Sequence, residues 1–427
     1  MPVRAAARAP FRFAKETAMK IAKVELFHVQ IPCPKPFWPT WIPGYPQTHN
    51  GFTLIRLTTK CGIEGWSAGS AMGKEREGLG DLIGGYLIGL DPEDIDTVNQ
   101  RLKEASYLGW RNYWIEPAFW DIIGKSKGKP VYELLGGTPR KVDAYCSTGE
   151  MHEPERRVDE LLSKAELGFK TAKLRVKNVR LEDDIRHVQV VGKGVEGILK
   201  MGVDANQAWL VTIVDKIPAW DLKRATEFAH AAADSGFEWL EEPLELRDYD
   251  GLAALRKVAR LKIAGAELNY GWQEIKVMIE KGSYDMYQPD ATFCGISDAL
   301  KTMKACKESG GDLSYTPHTW TNGIGFIINH HMLLADPDNN LPLEYPLDEP
   351  GWVPEARDGI LRKFIMPDKN GQLDPPTAPG LGIDIHPGRL RKYGKRFFKM
   401  DKLGLTIKVI MEKGLKTALE LKERKGD

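Results

Sequence analysis

Between about Lys141 and Pro346 short apolar runs alternate with helix-spaced segments, and this repeat constrains the fold more than any other feature of the chain. The runs are Val142–Ser147, Thr171–Val176, Ile198–Asp204, Phe237–Glu241, Lys262–Glu267, Asp285–Pro289, Leu313–Pro317 and Leu341–Glu344. Eight strands separated by helices is the count of a (β/α)8 barrel of the TIM type, within the α/β class. The third and fourth runs are further apart than the others, so Val211 to Trp220 reads as an insertion.

The flanks read differently. From Met19 the spacing predicts a strand (Lys20 to Gln30), a loop rich in proline and aromatics (Cys33 to Asn50), a second strand (Phe52 to Thr58) and a hairpin turn through Lys60, Cys61 and Gly62. After Asp91-Pro92, the steps Ile95, Val98, Leu102 and Ala105 predict a helix, which makes this a small α+β domain. After Pro346 the Pro/Gly-rich text returns (Asp374-Pro375-Pro376, Pro379-Gly380-Leu381-Gly382), suggesting that the chain comes back to that domain. The expected organisation is a tail (1–18), a capping domain (19–140), a barrel (141–347), a return to the cap (348–389) and a basic extension (390–427). That extension is expected to end in a helix with Ile407, Ile410, Met411 and Leu415 on one face, packed on the body or on a neighbouring subunit. The first 18 residues, with Arg4, Arg8 and Arg12 among alanines, faintly resemble a transit peptide but read as a tail.

Composition narrows the partners. With 60 Lys+Arg against 59 Asp+Glu in 427 residues, the net charge of +1 exerts no long-range pull on nucleic acid or anionic lipid. The apolar stretches Ile115–Ile123 and Ile324–Ala335 are too short or too interrupted to span a bilayer. Five cysteines without CxxC spacing argue against a disulfide framework, so a cytoplasmic protein acting on a small molecule is expected.

In a barrel the reactive groups stand at the C-terminal ends of the strands, where the backbone opens into loops. Here the second strand ends Lys173-Leu174-Arg175, with both cations on the inward face by the two-residue period. The later strands close on Asp204-Ala205-Asn206, Glu241-Glu242-Pro243, Glu267, Asp290, His318 and Glu344. Asp204, Glu241 and Glu267 would converge on one point, and carboxylates at that separation repel unless a hard divalent cation lies between them. Oxygen-only ligation favours Mg2+ over zinc.

These strand ends, together with the segment Ala118 to Lys125, its continuation Pro130 to Gly137 and the closing Pro379-Gly380-Leu381-Gly382, resemble the enolase superfamily, specifically its mandelate racemase branch, over roughly residues 19 to 389. The resemblance implies a modified barrel under a cap built from both ends of the chain, a homo-oligomer of two to eight subunits, and chemistry that begins by removing the proton beside a carboxylate. It implies that Asp204, Glu241 and Glu267 bind one Mg2+ per subunit and that His318, oriented by Asp290, is the acid or base. Lys173 would touch the substrate carboxylate, Glu344, protonated, would donate to it, and Asn206 would reach a substrate oxygen. Arg175 departs from mandelate racemase, which carries a lysine there as a second base, whereas a guanidinium is not readily deprotonated.

The expectation is therefore a Mg2+-dependent sugar-acid dehydratase giving a 2-keto-3-deoxy acid, in which a single group can move the proton. A racemase, epimerase or cycloisomerase of a hydroxy acid is the alternative, with Lys173 as a possible second base, and a binding protein on a barrel scaffold is a remote third. Of the mouth loops, Trp38, Tyr45 and His49, with Phe37, Trp41, Lys35 and Lys74, are expected to face the substrate, and Trp320 to line the pocket. Gly65-Trp66-Ser67-Ala68-Gly69 fits GxSxG but lacks the strand-to-helix context of a nucleophile elbow. His330-His331 read as core-edge residues rather than ligands.

Overall fold

Strands β1 (Ile21–Phe37), β2 (Gln47–Thr59) and β3 (Glu64–Ser70) form an antiparallel meander in the computed structural model, which describes residues 18–70, 79–109 and 111–425. The tail before residue 18 and Lys74 lie outside the described residues. Both faces of the meander are covered. Val24, Leu26, Ile55 and Leu57 pack with Val98 and Leu102 of the helix Ile95–Tyr107 and with Phe119 and Ile122 of the helix Glu116–Lys127. Phe27, Val29, Ile31, Phe52 and Leu54 join the barrel core instead, so the sheet is the cement between the two bodies.

The first two strands are longer than their spacing predicts, because pairing continues through Pro32–His49 to Phe37–Gln47, and this leaves only residues 38–46 as the aromatic loop. A larger difference concerns the basic extension. Its residues Gly394–Asp401 form a strand that pairs along β1 and adds a fourth strand to the cap sheet. The single helix expected beyond it is divided at Gly414, whose φ of 82° ends Lys402–Lys413 before Leu415–Lys425 begins. Ile407 and Met411 are 48% and 82% exposed rather than packed on the body.

The barrel strands follow the predicted order: β4 (Val142–Ser147), β5 (Thr171–Arg175), β6 (Lys200–Asp204), β7 (Phe237–Glu241), β8 (Lys262–Gly265), β9 (Met286–Tyr287), β10 (Ser314–Tyr315) and β11 (Leu343–Pro346). All neighbouring pairs are parallel, running from β10 back to β4 and on to β11. The seam between β10 and β11 is bridged by side chains: Thr316 Oγ1 donates to the Pro342 carbonyl at 3.1 Å and Thr319 Oγ1 to that of Glu344 at 2.7 Å. Strands β8 to β10 stop earlier than predicted, so Glu267, Asp290 and His318 stand on the loops beyond them, whereas Glu344 lies inside β11. Beyond β11, Gln372–Leu373 (β12) pairs antiparallel with β4, and Gly380 bridges to Pro130, so the stretch after the barrel touches both bodies.

The two-residue period sorts each strand. Ala172 and Leu174, Met201 and Val203, and Leu240 and Ile263 face the helices, while Lys173, Arg175, Asp204 and Glu241 face the axis. Beneath them Tyr145, Trp239, Ala264 and Met286 form an apolar layer. Gly202 makes room for it, since a Cβ there would lie 1.9 Å from the Trp239 ring.

Two motifs resolve as packing. Ser67 is fully buried and its hydroxyl donates to the Trp114 carbonyl, so the GxSxG match has no nucleophile. His331 is buried, accepting from the Tyr132 N–H at 3.1 Å and sitting 3.2 Å from the Leu381 carbonyl. All five cysteines are free, and no helix among the described residues is long and apolar enough to cross a membrane.

Burial pushes His187 and His331 down to about 4 and His330 to about 3. A folded pKa below the unfolded value means stability that is complete above pH 6.5 and is lost as the pH falls toward those values. His152, whose pKa is raised, contributes in the opposite sense. Each depressed histidine contributes up to about 1.4 kcal/mol of lost stability per pH unit, against the opposite slope of buried carboxylates such as Glu241, which is raised to about 7. His330→Gln is therefore expected to lessen the acid sensitivity of the thermal midpoint between pH 6.5 and 5 relative to the parent protein. A pH profile left unchanged by His330→Gln would contradict the neutral burial of that histidine.

Candidate active site

The centre of the barrel mouth is a set of buried opposite charges. Lys173 is completely buried, with its ammonium 2.5 Å from Glu241 Oε1, 2.7 Å from Glu344 Oε1 and 3.7 Å from Asp204 Oδ2. Arg175 pairs with Asp204 and donates through Nε to the Thr148 carbonyl at 2.7 Å. Burial alone would weaken both positive charges, but Glu241 and Glu344 around Lys173, and Asp204 beside Arg175, hold both pKa values above the ordinary range. Both side chains are therefore fixed cations.

Glu344 was expected to be protonated, and its surroundings are the reverse. Its two oxygens accept from Ser147 Oγ, from Lys173 and from the Thr319 N–H. Burial would raise its pKa, but Lys173, His318 and Arg175 bring it down to about 2, so it is a carboxylate that accepts hydrogen bonds. Glu241 lies at the other extreme. Burial, with Asp204, Glu344 and Glu267 repelling its charge, raises it to about 7 despite Lys173. Its Oε2 accepts from Gln288 Nε2 at 2.8 Å and lies 3.4 Å from Trp239 Nε1.

His318 is held by Asp290, with Nδ1 3.0 Å from Oδ2, and its Nε2 lies 3.4 Å from Glu267 Oε2. Asp290 is itself fixed: its Oδ1 accepts from the Thr292 N–H and hydroxyl and from Asn329 Nδ2. Burial opposes a charged imidazole, yet Glu267, Asp290 and Glu344 raise His318 to about 9. With Nδ1 engaged, Nε2 is the nitrogen free to exchange a proton with a bound molecule.

A cavity of about 980 Å³ opens above these groups, lined by Arg175, Asn206, Glu267, His318 and Trp320 below and by Trp41, Tyr45 and His49 from the cap. The sequence-based assignment of Trp38 differs. The residue is 51% exposed and outside the lining, and its backbone N–H donates to Glu150 Oε1 at 2.5 Å. Trp41 takes its place, its ring 5.0 Å from Trp320, and the Arg175 guanidinium lies 5.5 Å from Trp41 and 5.6 Å from Trp320. Asn206 ties cap to barrel, accepting from Thr40 Oγ1 at 2.7 Å. Gly149 permits the close approach of Phe37, since a Cβ there would lie 2.4 Å from its ring. Trp209, Phe293 and Arg247 also line the cavity. They follow strand ends, the one position that sequence spacing could have flagged.

Asp204, Glu241 and Glu267 offer oxygen donors only, and burial raises Glu267 as well as Glu241, so the group has a deficit of positive charge that a divalent cation fits. The backbone beside all three is strained. Asn206, Glu242 and Ala266, with φ of 46°, 48° and 82°, are the non-glycine residues in the left-handed region among those described. Glu242 is also buried, with Oε2 unpartnered. A tighter cluster, His152, Glu160 and Asp348, has its ligand atoms within 4.8 Å of one another, but Arg157 donates to Asp348 and pairs with Glu160, which makes it an ion-pair network under the aromatic loop.

A barrel whose inward strand ends carry buried carboxylates, two fixed cations and a carboxylate-held histidine is an acid–base site for a small anion. Residues 156–389 match the family described as enolase C-terminal domain-like, and residues 26–136 match the mandelate racemase / muconate lactonizing enzyme N-terminal domain. The chain belongs to the enolase superfamily, in its mandelate racemase branch. It is 31% identical over 289 residues to an arabinonate dehydratase of Saccharolobus solfataricus, covering 65% of this chain and 70% of that one. It is 25% identical to a D-galactarolactone cycloisomerase of Agrobacterium fabrum, covering 80% and 90%. A solved mandelate racemase/muconate lactonizing protein from Paracoccus denitrificans, complexed with magnesium, shares the fold at a TM-score of 0.74 and 22% identity, over 88% of this chain and 98% of that one. Relatives thus include lyases and isomerases.

Replacing Lys173 with Met leaves Glu241, Glu344 and Asp204 without their shared cation. The variant is expected to lose about 3–5 kcal/mol of stability, the usual cost of breaking a buried pair. Thermal unfolding at pH 8 checks this, and added Mg2+ should restore part of the loss.

Proposed function

We propose that this chain is a Mg2+-dependent dehydratase of a sugar acid, removing the proton α to the carboxylate and expelling the β-hydroxyl to leave a 2-keto-3-deoxy acid. The observation that carries the reading is the asymmetry of proton carriers. His318 presents Nε2 to the cavity, whereas Arg175 is locked to Asp204 and Lys173 is buried between carboxylates as a permanent cation. Inversion at the α-carbon needs a proton carrier on each face; elimination on one face needs only one.

In this reading Asp204, Glu241 and Glu267 would hold the metal, which would supply positive charge beside the substrate carboxylate. His318 takes the α-proton at Nε2 in its neutral form, which a cation held by Glu267 would favour by offsetting the charge that raises the imidazole to about 9, and Asp290 stabilises the imidazolium through Nδ1. The same proton then passes to the β-hydroxyl, the C–O bond breaks, water leaves and the resulting enol tautomerises to the keto acid. Arg175 and Asn206 border the cavity where substrate oxygens lie, and the rings of Trp41 and Trp320 exclude bulk water.

Incubation of the Mg2+-loaded protein with a panel of aldonic and aldaric acids is expected to yield 2-keto acid. Replacing His318 with Asn should lower the rate by about 10²–10⁴-fold. Substrate consumed without keto acid, or α-deuterium with inversion in substrate recovered from D2O, would replace elimination with isomerisation.

A further inference from the structure

The cavity carries a cation that the proton-transfer machinery does not use. Among its lining residues, Arg175 is committed to Asp204, His318 to Asp290 and Glu267, and Glu274 to Arg111 at 3.1 Å. Arg247 remains. Its guanidinium makes no hydrogen bond or ion pair among the described residues, and its side chain is exposed to the cavity.

The backbone that presents it is pinned on both sides. The Arg247 N–H donates to Glu245 Oε2 at 2.8 Å, the Leu246 N–H to the Ala208 carbonyl at 3.0 Å and the Asp248 N–H to the Glu245 carbonyl at 3.0 Å. Asp248 then caps the helix Tyr249–Val258 by accepting from the Gly251 N–H. The fixed backbone places an uncommitted guanidinium at the cavity, so an anion bound there has only the side-chain rotamers of Arg247 to order. His49, on β2, lines the same cavity with its Nδ1 2.9 Å from Thr48 Oγ1, which puts a second polar group at the cap side. In the dehydratase reading the reacting carboxylate lies at the other end of the cavity, beside Glu267 and His318. The cavity of about 980 Å³ extends from Arg175 and His318 to Arg247 and His49.

We propose that Arg247 receives the second carboxylate of an aldaric acid, so that the substrate class is the sugar diacids rather than the monocarboxylic aldonates. This deepens the dehydratase reading and rests on it only for the identity of the reacting end. A guanidinium meets a carboxylate through two parallel N–H donors, and the terminal CH2OH of an aldonate cannot make that pair.

The test is a set of matched aldarate and aldonate pairs that differ only at the terminal carbon, titrated calorimetrically into the Mg2+-loaded His318→Asn protein. The diacid of at least one pair is expected to bind tenfold or more tightly than its monoacid. Arg247→Ala should abolish that difference and Arg247→Lys should keep part of it. Equal affinities within every pair, no diacid bound, or a diacid affinity untouched by Arg247→Ala would overturn the proposal. Turnover by the unmodified protein separates the two readings. Keto acid from monoacids alone removes the role of Arg247 and keeps the dehydratase; selective diacid binding without keto acid does the opposite.

Discussion

Lys173 is the constraint on which the site depends. Its ammonium is sealed from solvent and shared among Glu241, Glu344 and Asp204, a geometry that exists only because β5, β6, β7 and β11 present their inward residues at one level. Four carboxylates, with Glu267, would be untenable in that volume without Lys173 and Arg175. Two cations do not balance them, and the residue of that imbalance is visible in Glu241, whose pKa is raised to about 7. The same field depresses Glu344 to about 2, so neighbouring carboxylates in one barrel differ in state through position alone.

The cap completes what the barrel begins. Arg175 is clamped below by Asp204 and covered above by the rings of Trp41 and Trp320, one from the cap and one from the barrel. Trp320 is oriented by its Nε1 donating to Ser147 Oγ at 2.7 Å, and Ser147 also donates to Glu344. Charge compensation and the aromatic cover are thus one connected network. A change at the cap loop is felt at the carboxylates through a few rigid contacts rather than across bulk solvent.

Much of this was legible in the chain. The eight apolar runs give the barrel, and the two-residue period places Lys173 and Arg175 on one face with Asp204 and Glu241 on the next strands. The misreadings share a cause. Trp38 and Trp41 are equivalent as composition, and only the folded loop, which packs the Trp41 ring 5.0 Å from Trp320 and leaves Trp38 exposed, distinguishes them. The protonation of Glu344 could not be read from a glutamate at a strand, because it depends on three cations from distant parts of the chain: Lys173, His318 and Arg175. The edge strand Gly394–Asp401 was hidden because it is short, basic and paired with a partner some 370 residues away, as in Lys23 opposite Asp401.

By itself the sequence determined the architecture, the family and the identity of the ionisable groups at the strand ends, since periodicity and spacing are local properties that any folded copy of the chain must satisfy. The tertiary structure alone decided which groups are charged, which aromatic rings line the cavity and which cation stands uncommitted at its far side. Those outcomes depend on distances between residues remote in sequence and on the exclusion of water around them, and neither is encoded in any single segment.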